Sequence, residues 1–429
     1  MPATSRLALA DIISPVSPQE FLQHYWEQKH LVIQRQDPEF YGPIMKAEDI
    51  DRWFYLAKKS GEQIGIVPPP GSNLPGGYST PRDASIKELY QAFEAGCSIA
   101  LQNAHEYWLP MQPLVQALSE ALSAPITVNV YFTPPGKQGV HIHPDIRDVF
   151  VLQLDGTKEW FMYPPGYMLP TKTITHWDEL SERYQADFAT YKDKAPEDLE
   201  TLDRFVVEQG DFLYIPRGLP HCARSPEDSP SLHLAIQIHS LCWVDLMKAA
   251  VEAVSVDHIE LRKALEPGFL HNADARARIA ERFRAALDLI VGNASFDRSF
   301  EAVSSRETSR QKLPPDGHFR DIIDLPRLNA ESIVVRRRGL TPRIVESDKF
   351  HILQFGETQF RAPSRIAPAL RFIVDKRRIR VCDLEGLPDD KSRLVLIRRL
   401  IRDGLFTIEE LNAPAFEEGA ALSTAETEG

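Results

Sequence analysis

Three side chains could together hold a redox metal. His143 and Asp145 lie in the stretch Gly139-Val-His-Ile-His-Pro-Asp-Ile-Arg-Asp-Val-Phe150, and His221 closes the distant stretch Gly210-Asp-Phe-Leu-Tyr-Ile-Pro-Arg-Gly-Leu-Pro-His221. Two imidazoles and one carboxylate on one face of a cation leave three adjacent positions open, which is the ligand set of non-haem Fe(II) oxygenases. The reading is a split iron site, two ligands from one strand end and the third from another strand.

A bare His-x-Asp triplet is weak. With 13 His and 61 acidic residues in 429, composition predicts about two His-x-acid triplets by chance. The chain has two further ones, His176-Trp177-Asp178 and His258-Ile259-Glu260. Context separates them: His143 and Asp145 follow an apolar strand and precede a hairpin pattern, whereas His176 sits in a polar stretch and His258 in a helical one. His141 is a spare ligand beside the set, read as facing substrate or supporting the ligands. His233 and His239 fall on an alternating β segment and read as hydrogen-bonded barrel residues.

Size and composition narrow the setting. A chain of 429 residues suggests about three domains. Its 49 basic and 61 acidic residues give −12, which argues against direct nucleic-acid or anionic-lipid binding and suits a basic partner. Cys97, Cys222, Cys242 and Cys382 have neither metal spacing nor a paired framework, pointing to a reducing cytoplasm and away from structural zinc. No apolar run reaches membrane-spanning length, and Met1-Pro-Ala-Thr-Ser-Arg lacks a basic-then-apolar signal pattern. A cytoplasmic protein with no membrane partner is expected.

The elements that must position the ligands can be sketched. Ser17-Pro18-Gln19-Glu20 announces a helix through about Glu27, with Phe21, Leu22, Tyr25 and Trp26 on one side, followed by a short strand Leu31-Val-Ile33. Helical pattern runs from Ala47 to Lys59, and Pro68 to Gly77 reads as loop. From about Ile126 the chain turns to short strands, Thr127-Val-Asn-Val-Tyr-Phe132 being rich in β-branched and aromatic residues. Asp155-Gly156 reads as a two-residue hairpin turn. A regular turn there pairs Gln153 with Lys158 and puts Lys158 on the face of Val151 rather than that of Phe150 and Leu152. Short strands with tight turns suggest a jelly roll, interrupted by a polar, helical insertion from Asp178 to Arg204. Val251 to Leu265 and Ala275 to Val291 have helical periodicity, and Ile279, Phe283, Ala286, Leu287 and Ile290 share a face that a twin chain could cover. Pro314 to Gly317 reads as loop, Ile366 to Val374 and Ser392 to Arg402 as two more helices, and the tail after Ala413 as disordered. The clusters Arg336-Arg337-Arg338 and Lys376-Arg377-Arg378 read as solvated faces rather than RNA contacts.

The runs Asn129-Val-Tyr-Phe-Thr-Pro-Pro-Gly, His143-x-Asp145, Asp148-Val-Phe-Val-Leu-Gln-Leu-Asp-Gly-Thr-Lys-Glu-Trp160 and Gly210 to His221 resemble the JmjC-type ribosomal oxygenases of the cupin superfamily, as does Phe21 to Ile33. The resemblance implies an α+β chain: a double-stranded β-helix (jelly-roll, cupin) JmjC domain with N-terminal helices over 1–239, a helical dimerisation domain over 240–325, a winged-helix-like domain over 326–413 and a disordered tail over 414–429. It implies an Fe(II)- and 2-oxoglutarate-dependent hydroxylase acting on His or Arg of a ribosomal protein, with release of succinate and CO2, and working as a homodimer. Position by position, His143, Asp145 and His221 match the iron ligands. Lys158 matches the basic residue that pairs with the distal carboxylate of 2-oxoglutarate, and Tyr131 and Asn129 match residues lining that co-substrate. A dicarboxylate entering a closed barrel needs a buried cation at its far end, and Lys158 would need water or an anion beside it when the site is empty. The chain departs from the family at Ser231-Leu-His-Leu-Ala235-Ile-Gln237, where relatives often carry Thr on the strand after the distal histidine, and in the flanks of His143. Two other functions compete: the same chemistry on a small molecule or biosynthetic peptide, and a nucleic-acid-binding regulator whose cupin only senses a ligand.

Overall fold

Three short strands precede the β-rich middle: β1 (Leu31–Ile33), β2 (Ile64–Val67) and β3 (Ser98–Leu101). The β-branched run beyond Ala124 becomes β4 (Ile126–Thr133), followed by β5 (His143–Pro144), β6 (Asp148–Gly156), β7 (Lys158–Met162), β8 (Asp203–Val207), β9 (Phe212–Ile215), β10 (Pro220–Arg224) and β11 (Ser231–Ile238). In the computed structural model these form two antiparallel sheets, ordered β1-β9-β6-β11-β4-β3-β2 and β5-β10-β7-β8. This is the expected double-stranded β-helix. The structure describes residues 7–60, 64–72, 85–171, 189–191, 194–313, 316–346 and 350–411, and the chain divides into two units, 1–300 and 301–429.

Strand alternation sorts the core in two. Val128, Val130, Phe150, Leu152, Leu232 and Leu234 turn outward from the larger sheet and bury against the N-terminal helices, with Phe21 and Trp53. Val149, Val151, Trp160, Met162, Val207 and Leu213 turn inward between the sheets. After a single turn of helix at Leu9–Ile12, the helix announced by Ser17 runs Pro18–His24, with Ser17 capping it through Glu20 N–H. It stops short of Glu27, and Leu22 is exposed while Phe21 is buried, because Tyr25 and Trp26 reach the core from the turn rather than from a helical face.

Asp155-Gly156 is not a hairpin. β6 is an inner strand with β9 on one side and β11 on the other, so it has no free edge to accept β7, which crosses to the smaller sheet and pairs with β8 and β10. Gly156 does take positive φ, +63°, but at a corner where a Cβ would lie 1.9 Å from the Pro230 carbonyl. Lys158 still faces the same interior as Val151, reached by the crossing and not by cross-strand register.

Past the sheets, helices Trp243–Asp257, Ala273–Asn293 and Phe296–Arg310 follow. The periodicity read from Val251 to Leu265 is interrupted, since His258 is extended and a short 3-10 turn, Ile259–Arg262, follows. In the second unit, sheets β16 (Arg378–Arg380)-β12 (Ile333–Arg336)-β17 (Phe406–Glu410) and β13 (Arg343–Glu346)-β14 (Phe350–Phe355)-β15 (Thr358–Pro363) share a core with helices Ala367–Asp375 and Asp390–Arg402. Arg337 does not join a solvated face. It is buried and paired with Asp321 and Asp316, because an interior guanidinium needs carboxylates around it. Residues 178–188 and 192–193 of the insertion read from Asp178 to Arg204, the triplet His176–Asp178 and the tail from 414 lie outside the described residues; in the rest of the insertion a short 3-10 turn, Pro196–Asp198, precedes Asp203 and Arg204, which begin β8. Among the described residues no helix is long and apolar enough to cross a membrane.

Candidate active site

The antiparallel pairing of β5 with β10 sets His143 directly opposite His221, with ring centroids 4.7 Å apart. Asp145 follows two residues later, held by the Gly218 N–H donating 2.8 Å to its backbone carbonyl. Its carboxylate lies 3.9 Å from His143 Nε2 and 3.7 Å from His221 Nε2. One ligand atom from each of the three lies within 4.8 Å of the others. Among the described residues this is the one such cluster, and neither His258 nor exposed His141 joins it.

The donor set fits a cation. His143 Nδ1 engages the His141 carbonyl at 2.7 Å and His221 Nδ1 the Leu219 carbonyl at 2.9 Å. Those contacts make each Nδ1 the protonated nitrogen and leave each Nε2 lone pair turned to the carboxylate, which is how ligating histidines are oriented. Burial, then the neighbouring His143, pushes His221 down to about 4, so it is neutral and ready to ligate at pH 7. Neighbouring ligands about 2.1 Å from a metal lie roughly 3 Å apart, a contraction of under about 1 Å from the two carboxylate–imidazole separations and of up to about 2 Å within the 4.8 Å that bounds the set.

Behind the ligands opens a cavity of about 610 Å³, counting its mouth, lined by His143, Asp145, His221, Tyr131, Lys158 and Trp160 among others. Lys158 is 3% exposed and donates 2.9 Å to Thr133 Oγ1, which also accepts from Ser98. Burial drags the ammonium from 10.5 down to about 7, and among the described residues no carboxylate pairs with it. A cavity lined by a ligand triad and, among the described residues, by one buried cation suits a molecule that both chelates and carries an anion.

The sequence-based site residues do not all meet. Tyr131 lines the cavity. Asn129, on the same face of β4, spends its carbonyl on the Asn103 N–H at 3.2 Å and supports the wall rather than lining it. Thr133 was missed, although Thr two positions after Tyr131 on one strand must share its face. His239 is hydrogen-bonded as expected, to Thr127 and Arg147. His233 is not: it lines the cavity, and its buried Nδ1 has no partner among the described residues.

Residues 104–246 match the JmjC domain, and with that match the two sheets and the candidate metal cluster define a JmjC cupin fold. The chain is 30% identical over 267 residues to ribosomal oxygenase 1 of Danio rerio, covering 60% of this chain and 46% of that protein. It is 26% identical over 331 residues to the bifunctional lysine-specific demethylase and histidyl-hydroxylase NO66 of Aedes aegypti, covering 72% and 49%. The chain thus spans about half the length of the curated relatives it matches. The crystal structure of Escherichia coli ribosomal oxygenase YcfD shares the fold at 17% identity, with a TM-score of 0.54 over 92% of this chain and 98% of that one. The chain therefore carries a JmjC domain and is a homologue of the proteins named ribosomal oxygenases.

Proposed function

We propose that the chain is an Fe(II)- and 2-oxoglutarate-dependent oxygenase that hydroxylates a histidine or arginine side chain of a ribosomal or other basic protein, with release of succinate and CO2. The observation that carries this reading is Lys158, a buried cation with no carboxylate partner among the described residues, on the wall of the cavity that also holds His143, Asp145 and His221. Structures of YcfD with cobalt and 2-oxoglutarate, and with cobalt and succinic acid, support it by likeness.

Two histidines and a carboxylate would hold Fe(II) and leave three positions open. The bound iron supplies the activation of O2. The chain's own residues do the placing. Lys158, fixed by Thr133, takes the distal carboxylate of the co-substrate. Trp160, Val149, Val151 and Ile215 wall the cavity with apolar surface and keep water from competing. Arg147 donates to Gln237, itself a lining residue, and to His239, which adds polar groups to the wall for a substrate side chain. The net charge of −12 favours a basic partner, and four free cysteines suit a reducing cytoplasm. Exposed Trp243, Met247, Phe283, Leu287 and Val291 support a homodimer through the helices of 240–325.

The test is oxygen-dependent conversion of 2-oxoglutarate to succinate by Fe(II)-loaded protein, together with mass spectrometry of ribosomal proteins from cells with and without the chain. His143→Ala should abolish both the succinate and the added oxygen. Loaded wild-type protein that makes no succinate with any ribosomal fraction would overturn the reading.

A further inference from the structure

Glu27 keeps a left-handed backbone, with φ at +58°, in the turn that follows helix Pro18–His24. Glycine or asparagine adopts that conformation readily, whereas a residue with a longer side chain keeps it only where its surroundings hold it there. Both ends of Glu27 are held. The backbone N–H donates 2.8 Å to Tyr214 Oη, and the carboxylate accepts from Arg217 Nη1. Trp26 stacks on Tyr214 at 5.7 Å between ring centroids, so the turn is packed against β9 as well as bonded to it. The two residues that hold Glu27 also tie together the segments that carry metal ligands. Tyr214 Oη donates 2.9 Å to Asp148 Oδ1, while Arg217 donates from Nη1 to Asp148 Oδ2 at 2.8 Å and from its backbone N–H to Asp148 Oδ1 at 3.3 Å. The next residue, Gly218, donates 2.8 Å to the Asp145 carbonyl. Residues 145–148 and 217–218 are thus joined at both ends of a short span, which carries Asp145 on one side and leads into His221 on the other.

We infer that Glu27, although it lies outside both sheets, is a positioning residue for the metal centre: through Arg217 it sets the separation of the segments that carry Asp145 and His221. The inference rests on the reading of His143, Asp145 and His221 as metal ligands. Arg217 is 7% exposed and Asp148 1%, and one guanidinium nitrogen, Nη1, is shared between Asp148 and Glu27. The pull of the Glu27 carboxylate therefore decides where the guanidinium rests against Asp148, and with it the backbone that passes into Gly218. A charge-assisted hydrogen bond is strong enough to act in this way. The left-handed backbone of Glu27 is the cost of bringing a carboxylate to that point, where glycine would sit without strain but leave Arg217 to Asp148 alone.

Metal affinity, not turnover, tests this. Mn(II) binding to the full chain is followed by the electron paramagnetic resonance of the free ion. Glu27→Gly removes the carboxylate and relaxes the backbone, and should raise the Mn(II) Kd about 10-fold, the low end of what losing a residue behind a metal ligand costs. Glu27→Gln keeps an acceptor for Arg217 and should recover most of that loss, which guards against a variant that merely misfolds. Ser17→Ala loosens the same helix by removing its cap and leaves Arg217 its partners, so its Kd should match wild type. An unchanged Kd in Glu27→Gly, a Glu27→Gln variant that binds no better than Glu27→Gly, or an equal rise in Ser17→Ala would overturn the inference while the metal reading stands. Wild-type protein that does not bind Mn(II) would overturn the metal reading and this inference with it.

Discussion

Replacing Lys158 with methionine should stabilise the fold while destroying co-substrate binding. Methionine matches the lysine stem in length and leaves Thr133 its hydrogen bond from Ser98. Burial brings the ammonium from 10.5 in the free side chain to about 7 in the fold. At pH 7 and below, the folded protein carries a charge it would rather not have, and at about 1.4 kcal/mol per pH unit the cost at pH 7 is about 4 kcal/mol. Loss of the bond to Thr133 returns about 1 kcal/mol, so Lys158→Met should gain roughly 3 kcal/mol at pH 7. The sign with pH follows from proton counts. Between pH 7 and 10.5 the unfolded lysine holds a proton that the folded one has released, so wild-type stability rises with pH and the variant's advantage shrinks by about 1.4 kcal/mol per unit. All six tryptophans lie in the first unit, so urea unfolding followed by their fluorescence between pH 6.5 and 9 reports on the barrel alone. A variant less stable than wild type, or an advantage that does not change with pH, would refute the argument. The same titration with 2-oxoglutarate at a hundred times its Kd should raise wild-type stability by about 2.7 kcal/mol and leave the variant unmoved.

Two other perturbations probe how the ligands and the subunits are held. Asp148 is buried and takes Arg217 Nη1 at 2.8 Å and Tyr214 Oη at 2.9 Å, directly behind the turn that delivers Gly218 to Asp145; Asp148→Ala should cost about 3–5 kcal/mol by leaving Arg217 with Glu27 alone, and should also weaken Mn(II) binding. Lost stability with metal affinity intact would show that this ion pair does not position the ligands. Phe283 is 61% exposed, so Phe283→Glu should leave the chain's own folding within about 0.5 kcal/mol but shift sedimentation from dimer to monomer, and a wild-type chain that sediments as a monomer would remove the dimer from the proposal.

How the site could be read from sequence depends on which residues act through local rules. His143 and His221 meet because two short strands pair in one register, and the glycine and prolines around them mark where those strands end. Lys158 reached the correct face in the sequence reading through a hairpin that does not exist. Alternation along a strand survives a wrong partner, whereas the partner itself is set by which edges are free, and β6 has none. Arg337 went the other way: its sequence neighbours, Arg336 and Arg338, suggest a charged surface, and only the carboxylates of Asp321 and Asp316, brought in from another element, make its burial tolerable. His233 combines both difficulties. Its alternation with Leu232 and Leu234 correctly turns it to the interior, but whether an interior histidine is satisfied depends on atoms from two other strands, β4 and β7. Those strands bring it Tyr131, Trp160 and Lys158, and among the described residues nothing hydrogen-bonds its Nδ1. A buried cation that folding leaves without a counter-charge among the described residues is stabilised most by the ligand that carries it, which is why Lys158, the residue that weakens the empty fold, is the one expected to choose the co-substrate.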